Sequence, residues 1–363
     1  MRSECDYYLT TFFRNQRFIR VQPPIITSSD CEGAGEVFTI SSHPSSFTGQ
    51  GEGRGQGRED FFRSPKYLTV SSQLHLEAFV HEHPKVWTLS PTFRAEKSDT
   101  PRHVSEFWML EAEIRTESLQ DLMNLVKGMI RTLVSDLRES GLIEELVVAR
   151  KKGSSQDRDL AFPWARWDNL SLLSWPQIKY AEAIQVLQDA ATSQHARFQY
   201  EPSFESGLQL EHERYIVSEL GQGAPVFVTH YPRKLKPFYM LPSAKQHEGD
   251  DEPRETVECF DLLLPDTCEI VGGSLREHRL DSMTQSMRDH SFSASTSNAD
   301  LPGGPLPSEE SSNLDWYLDL RRYGAVPHGG FGLGLDRLLG HLVGAPNIKD
   351  VVPWPRHHGR CDC

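Results

Sequence analysis

Apolar residues recur along the chain with two different periods, and the period assigns each segment. Residues 3–17 carry Tyr8, Leu9, Phe12 and Phe13 at helical spacing and predict an amphipathic helix. The run FIRVQPPIIT at 18–27 predicts a strand. Its two prolines cannot donate to a ladder, so it belongs at an edge or an interface. Residues 41–65, rich in Ser, Gly and Arg, predict a flexible loop. YLTVSSQLHLEAF then reads as strand, turn and helix start, and PTFRAE and EFWMLEAEI as two strands joined by the polar turn KSDTPRHVS. Ser118 and Asp121 resemble a capping box that opens a long helix with Leu119, Leu122, Val126, Met129, Leu133 and Leu137 on one side. Residues 150–175 read as a Trp-rich irregular connector and 178–189 as a short amphipathic helix. VFVTHYP, VECFDLLLP and CEIVGGSLRE read as further strands, and a helix starts near Leu335. Residues 281–312 are low in complexity and predict disorder. Hairpin strands with helices segregated elsewhere predict an antiparallel α+β domain, not a βαβ fold.

Charge and length narrow the partners. A chain of 363 residues can bury a large core, as one big domain or two ordinary ones. Its net charge of −13 excludes nucleic-acid binding by bulk electrostatics, so any RNA contact needs a local basic patch. No run of 18 apolar residues exists, which predicts no membrane span. The six cysteines, at 5, 31, 259, 268, 361 and 363, form no C-x-x-C and no zinc-finger spacing, and read as free thiols of a reducing compartment. Residues 1–22 hold acidic side chains and no apolar h-region, so neither a secretory signal nor a transit peptide is visible and the chain reads as beginning inside a folded domain.

The candidate chemistry lies in two stretches, TFRAEKSDTPRHVSEFWMLEAE at 92–113 and HGGFGLGLDRL at 328–338. Arg94 falls on a predicted strand, with Arg102 and His103 in the following turn. An arginine fork matches phosphate oxygens and stays charged at any working pH. Phe107 offers a flat ring for a purine. Glu111 and Glu113, two apart on one strand, point to the same face, where two carboxylates repel unless a cation or amine lies between them. Glu96 stands at the same spacing in its own strand. Asp261 and Glu269 flank LLLPDTC on consecutive strands, and their hard oxygens suit Mg²⁺ bridging ATP phosphates. Gly272, Gly273 and Arg276 predict crowded backbone beside a ligand-reading arginine. Arg337 falls in the first turn of its helix, at the positive end of the dipole. Neither G-x-G-x-x-G after a strand nor a P-loop occurs, so an ATP site here is neither Rossmann nor Walker. No nucleophile constellation is present, which leaves catalysis to positioning and electrostatics.

These segments resemble the three signature motifs of class II aminoacyl-tRNA synthetases of the aspartyl/asparaginyl subgroup. RNQRFIRVQPPIIT, with Pro24, is similar to motif 1, the 92–113 stretch to motif 2 and HGGFGLGLDRLL to motif 3. CEGAGEVF, TVSSQLHLE, KPFYM, GGSLRE and YGAVPHGGFGLG resemble the asparaginyl branch. Leu76 stands where aspartyl enzymes typically carry a lysine suited to a substrate carboxylate, and Glu111 where they tend to carry Asp. A longer buried acceptor there would select an amide N–H over a carboxylate.

The resemblance implies a single class II catalytic domain over 1–363, an antiparallel sheet of six or seven strands flanked by helices. It places loop insertions at about 41–65, 150–175 and 281–312. It also implies ATP as substrate, Mg²⁺, asparagine and tRNA(Asn) as partners, and a homodimer built on the motif 1 helix and strand. By the same resemblance Glu32, Ser71 and Gln73 hold the amino acid's ammonium, and Arg276 and Glu111 read its carboxamide. Arg94 binds the α-phosphate, helped by Glu96; Arg102 and His103 hold the β- and γ-phosphates; Phe107 and Arg337 sandwich adenine; Asp261 and Glu269 ligate Mg²⁺. Two departures stand out: the family's N-terminal anticodon-binding OB-fold has no counterpart before Met1, and His230 stands where Asp or Asn is commoner. Leu275 and the ending NIKDVVPWPR resemble organellar members, which implies the mitochondrial matrix, and otherwise the cytoplasm. Two other functions share these motifs: a tRNA-independent adenylate-forming ligase resembling asparagine synthetase, and a catalytically silent dimeric module.

Overall fold

The computed structural model describes residues 1–28, 37–40, 61–62, 66–98, 100–153, 163–244, 255–294 and 314–361. Most of the 41–65 segment, residues 295–312 of the low-complexity segment, and Glu32 lie outside the described residues.

The first helix, α1 (Arg2–Asn15), turns Cys5, Leu9 and Phe13 inward, the face its spacing predicts. The proline-bearing segment forms two short strands, β1 (Ile19–Arg20) and β2 (Ile26–Thr27), because Pro23 and Pro24 interrupt the ladder between them. After β3 (Thr39–Ile40) and β4 (Lys66–Leu68) comes α2 (Gln73–Val80), then the long hairpin β5 (Lys85–Phe93) and β6 (Glu106–Arg115). Helix α3 (Leu119–Glu139) buries Leu122, Val126, Met129, Leu133 and Leu137 as its periodicity requires. Its predicted capping box is corrected. Ser118 makes no side-chain cap bond, and Asp121 instead accepts the Thr116 hydroxyl, 2.7 Å away. Helices α4 (Leu142–Gly153) and α5 (Trp164–Ser171) follow, then β7 (Gln177–Lys179), α6 (Tyr180–Thr192), α7 (Leu210–Ile216) and β8 (Val226–Thr229). Beyond them run β9 (Cys259–Leu264), β10 (Cys268–Leu275), α8 (Leu280–Ala294), α9 (Asp315–Arg322), β11 (His328–Gly334) and α10 (Leu335–Val343).

Two expected loops are partly helical. Within 150–175, α5 is anchored by Trp167, whose indole N–H donates to the Leu342 carbonyl at 2.8 Å from a fully buried ring. Within 281–312, α8 forms because Met283 and Met287, one helical turn apart, pack against Phe238 and Tyr317.

Eight strands make the main sheet, in the order β1-β5-β6-β11-β10-β9-β8-β7. All neighbours are antiparallel except β1 with β5 and β7 with β8, so the motif 1 strand sits at an edge, as its prolines demand. β2, β4 and β3 form a small second sheet. The expected α+β class therefore holds, with eight strands in place of six or seven.

One face of the main sheet is apolar. Leu110, Leu262, Phe331 and Leu333 pack there with Phe13, Trp87 and the buried stripe of α3. The opposite face carries the charges, and the register explains how. Glu111 on β6 pairs with Gly332 on β11, Gly332 with Gly272 on β10, and Gly272 with Asp261 on β9. Residues directly opposed across a ladder share a face. One transverse row thus reads carboxylate, glycine, glycine, carboxylate.

Candidate active site

At one end of this row, Glu111 is buried and accepts from the Ser71 hydroxyl at 2.5 Å and from the Ser72 N–H at 2.9 Å, at the start of α2. Arg276, which the resemblance pairs with Glu111 as a carboxamide reader, is locked on the neighbouring carboxylate. Its Nε and Nη2 donate to Glu113 at 2.8 and 3.2 Å, and its Nη1 to Ser274 Oγ at 2.7 Å. The cation that two carboxylates on one face require is therefore present. Burial raises the Glu113 pKa, and Arg276 opposes it. A Cβ on Gly330 would lie 1.8 Å from Glu113 Oε2, so the glycines of β11 leave room for the carboxylates of β6.

Behind this pocket, Glu77 of α2 is fully buried and accepts from Gln73 Nε2 at 2.9 Å, Tyr317 Oη at 2.7 Å and Arg321 Nη2 at 2.7 Å. His328 Nε2 lies 3.1 Å from it. Burial alone would raise its pKa, but Arg321 and His328 hold it far below the usual carboxylate range. Glu77, Glu113 and His328 could geometrically surround an ion. Arg321 and Arg276 already match the charge of these two carboxylates without an ion. The sequence marks Glu113 only as the same-face partner of Glu111, and assigns Glu77 and Arg321 no role. Glu77 leaves a signal, four residues after Gln73 on one helix face.

At the other end, Asp261 Oδ1 and Glu269 Oε1 both lie 3.4 Å from where a Gly272 Cβ would stand. Only glycine leaves open the space between two hard donors, so this pair fits Mg²⁺. Lys236, the first residue of KPFYM and given no role from the sequence, bonds Asp261 at 2.8 and 3.1 Å. Burial raises the Asp261 pKa, with Lys236 pulling against it. Glu269 is half-buried, and although desolvation raises its pKa, Arg337, Lys236, Arg94 and Arg102 together hold it down.

The motif 2 cations gather at this end. Arg94 lies one residue past β5 rather than on it, its N–H donating to the Ser105 carbonyl at 3.0 Å. Its guanidinium stands over the Phe107 ring at 5.6 Å and 3.9 Å from Glu96. His103 is 3.6 Å from Glu96 and 2.6 Å from the Thr100 hydroxyl; burial lowers its pKa, with Glu96 opposing. Arg102 forms no ion pair among the described residues, and its buried Nε lacks a partner, an arrangement that suits an incoming phosphate. Arg337 is in the first turn of α10 as expected, and its Nη1 donates to the Glu269 carbonyl at 2.9 Å. The cation over Phe107 is thus Arg94, while the pairing of Phe107 with Arg337 around adenine stays a proposal. His230, which departs from the family pattern, has φ 57. Asn and Asp enter that left-handed region most easily, which accounts for the commoner residues there.

Glu213 of α7 joins the same end. Burial, then Glu269, pushes its carboxyl up to about 7. Between about pH 4.5 and 7 the folded chain holds a proton that the unfolded chain has lost, so stability falls as pH rises through this window. Glu213→Gln is expected to flatten that decline, read as melting temperature across about pH 5–8. An unchanged slope would remove Glu213 as its source.

The fold is that of one class. The family model for tRNA synthetases class II (D, K and N) matches residues 1–358, and the chain belongs to that family. It is 39% identical over 364 residues to "Asparagine--tRNA ligase, mitochondrial" of Saccharomyces cerevisiae, covering 98% of this chain and 67% of that protein. It is 38% identical to "Asparagine--tRNA ligase" of Clostridium tetani, over 100% of this chain and 70% of the relative. Among solved structures, asparaginyl-tRNA synthetase from Pyrococcus horikoshii complexed with asparaginyl-adenylate superposes with a TM-score of 0.74 at 28% identity, over 99% of this chain and 68% of that one. Among the described residues no helix is long and apolar enough to cross a membrane.

Proposed function

We propose that this chain is an asparagine–tRNA ligase, acting through one catalytic domain. The carboxylate of asparagine attacks the α-phosphorus of ATP, pyrophosphate leaves, and the asparaginyl group passes from the adenylate to the terminal 3′-hydroxyl of tRNA(Asn), releasing AMP. The observation that carries this is the row Glu111–Gly332–Gly272–Asp261. Three strand spacings separate its ends by about 14 Å. Two glycines leave a flat floor between an amino-acid pocket and a phosphate site, a length suited to an aminoacyl-adenylate.

Ser71 and Gln73, with Glu32 beyond the described residues, hold the ammonium, and Glu111 and Arg276 read the carboxamide. Arg94, assisted by Glu96, takes the α-phosphate. Arg102 and His103 take the departing pyrophosphate, and Phe107 and Arg337 the adenine. Asp261 and Glu269 would hold Mg²⁺, which when bound neutralises phosphate charge. Because an arginine is fully charged and already in place, it stabilises the developing phosphorane without solvent reorganising. Exposed Tyr7, Ile19, Ile25 and Ile26 on the motif 1 helix and strand give a homodimer an apolar face to cover. The yeast relative's name supports a mitochondrial address, which subcellular fractionation of the tagged protein would test.

The test is ATP–pyrophosphate exchange by the purified chain without tRNA. Exchange is expected with asparagine and not with aspartate. Exchange with aspartate alone would overturn the assignment, and none with either, from folded protein, would point to a silent module.

A further inference from the structure

Gln73 carries a side-chain amide whose two ends differ only in whether they donate or accept. A substrate ammonium needs the accepting end. Nothing in glutamine itself selects it, because a half-turn about the last bond exchanges oxygen and NH₂. The choice is made one helical turn further along α2. There the Glu77 side chain, fully buried, receives Gln73 Nε2 at 2.9 Å, Tyr317 Oη at 2.7 Å, Arg321 Nη2 at 2.7 Å and His328 Nε2 at 3.1 Å. An ionised carboxylate can only accept, so Gln73 must turn its NH₂ towards Glu77 and its oxygen the other way. No donor among the described residues reaches that oxygen. The Gln73 backbone N–H donates to Ser71 Oγ at 3.1 Å, the hydroxyl that donates to Glu111, so Gln73 borders the amino-acid pocket.

From this geometry we infer that Glu77 is a positioning residue that fixes the orientation of the Gln73 amide, presenting its oxygen to the α-ammonium of the amino acid. The inference rests on the proposed role of Gln73 in asparagine binding. Arg321, Tyr317 and His328 keep Glu77 an acceptor, so the selection reaches the pocket from α9 and β11. In Glu77→Gln the donors of Tyr317, Arg321 and His328 hold the new amide's oxygen where Oε2 stood, so its NH₂ faces Gln73 and the Gln73 amide turns over. An NH₂ turned to an ammonium sets two donors face to face.

A purely architectural role for Glu77 would weaken every ligand of the pocket alike. The discriminating pair is L-asparagine and succinamic acid, the same molecule with hydrogen in place of the α-ammonium. The readouts are the KM for asparagine in ATP–pyrophosphate exchange and the inhibition constant of succinamic acid against it. Glu77→Gln is expected to raise the first about tenfold and to change the second less than about twofold, the loss of one charge-assisted hydrogen bond. Should that variant fail to fold because Arg321 is left unmatched, Glu77→Asp keeps the charge but draws back from Gln73, and the same selective loss is expected. Equal weakening of both ligands, or no change in either, overturns the inference. Wild-type protein that binds succinamic acid no worse than asparagine would instead overturn the role of Gln73.

Discussion

Arg94→Ala is expected to lower asparagine-dependent ATP–pyrophosphate exchange about a thousandfold while the protein stays folded. Two features separate these effects. Arg94 lies beyond the end of β5, with its side chain 29% exposed, 3.9 Å from a half-exposed Glu96. Its removal leaves Arg337, Lys236 and Arg102 around Glu269, and a part-exposed pair such as Arg94 with Glu96 contributes at most about 1 kcal/mol to stability. The catalytic loss has another origin. Attack on the α-phosphorus places additional charge on its equatorial oxygens, and removing one preorganised donor to such charge commonly costs 10²–10³ in rate, about 3–4 kcal/mol. Exchange within about tenfold of wild type would mean that Arg102 or Arg337 carries the α-phosphate instead.

Arg321→Met is expected to destabilise the fold by about 3–5 kcal/mol, because it strands the Glu77 carboxylate in a site with no access to water. With Arg321 present, Glu77 stays ionised below its ordinary range, so it contributes stability above about pH 4.5 that is lost as the pH falls. Without Arg321, burial governs and the carboxyl prefers its proton. The penalty should therefore grow from acidic to neutral pH, as followed by urea denaturation at several pH values. Replacing both partners, as in Glu77→Leu with Arg321→Met, should restore only part of the loss, since it removes the unmatched charge but leaves Gln73, Tyr317 and His328 without their buried acceptor. A single variant as stable as wild type at pH 7 would show that Tyr317 and His328 suffice to hold the charge.

Periodicity made α1 and α3 legible because their buried residues repeat at the helical interval, and β6 is legible over nearly its whole length; of β5 only residues 91–93 fall within the expected strand, because its buried residues run consecutively without alternating. It missed β11, in which four of seven residues are glycine and hydrophobic alternation has almost nothing to act on. It misread α8 and α5, where two methionines or a single tryptophan, set in polar sequence, are enough once a neighbouring surface receives them. The site divides in the same way. Arg94, Arg102, His103, Phe107 and Arg337 lie in the two stretches that resemble motifs 2 and 3, and Asp261 and Glu269 on two consecutive strands read from the sequence. Glu77 and Arg321 are 244 residues apart and meet only through the fold. Lys236 opens the KPFYM segment, but its pairing with Asp261 is made only by the fold.

The glycine row between Glu111 and Asp261 bears on how long an activated intermediate stays on the protein. Asparagine reaches one end of the row and the phosphates of ATP the other, and each binds with its own loss of translational freedom. The adenylate joins both halves covalently. Once one half is seated, the other faces its own subsite at a high effective concentration, and dissociation requires both ends to release together. A mixed anhydride prone to hydrolysis is thereby retained until a hydroxyl acceptor arrives, by the spacing of four strands.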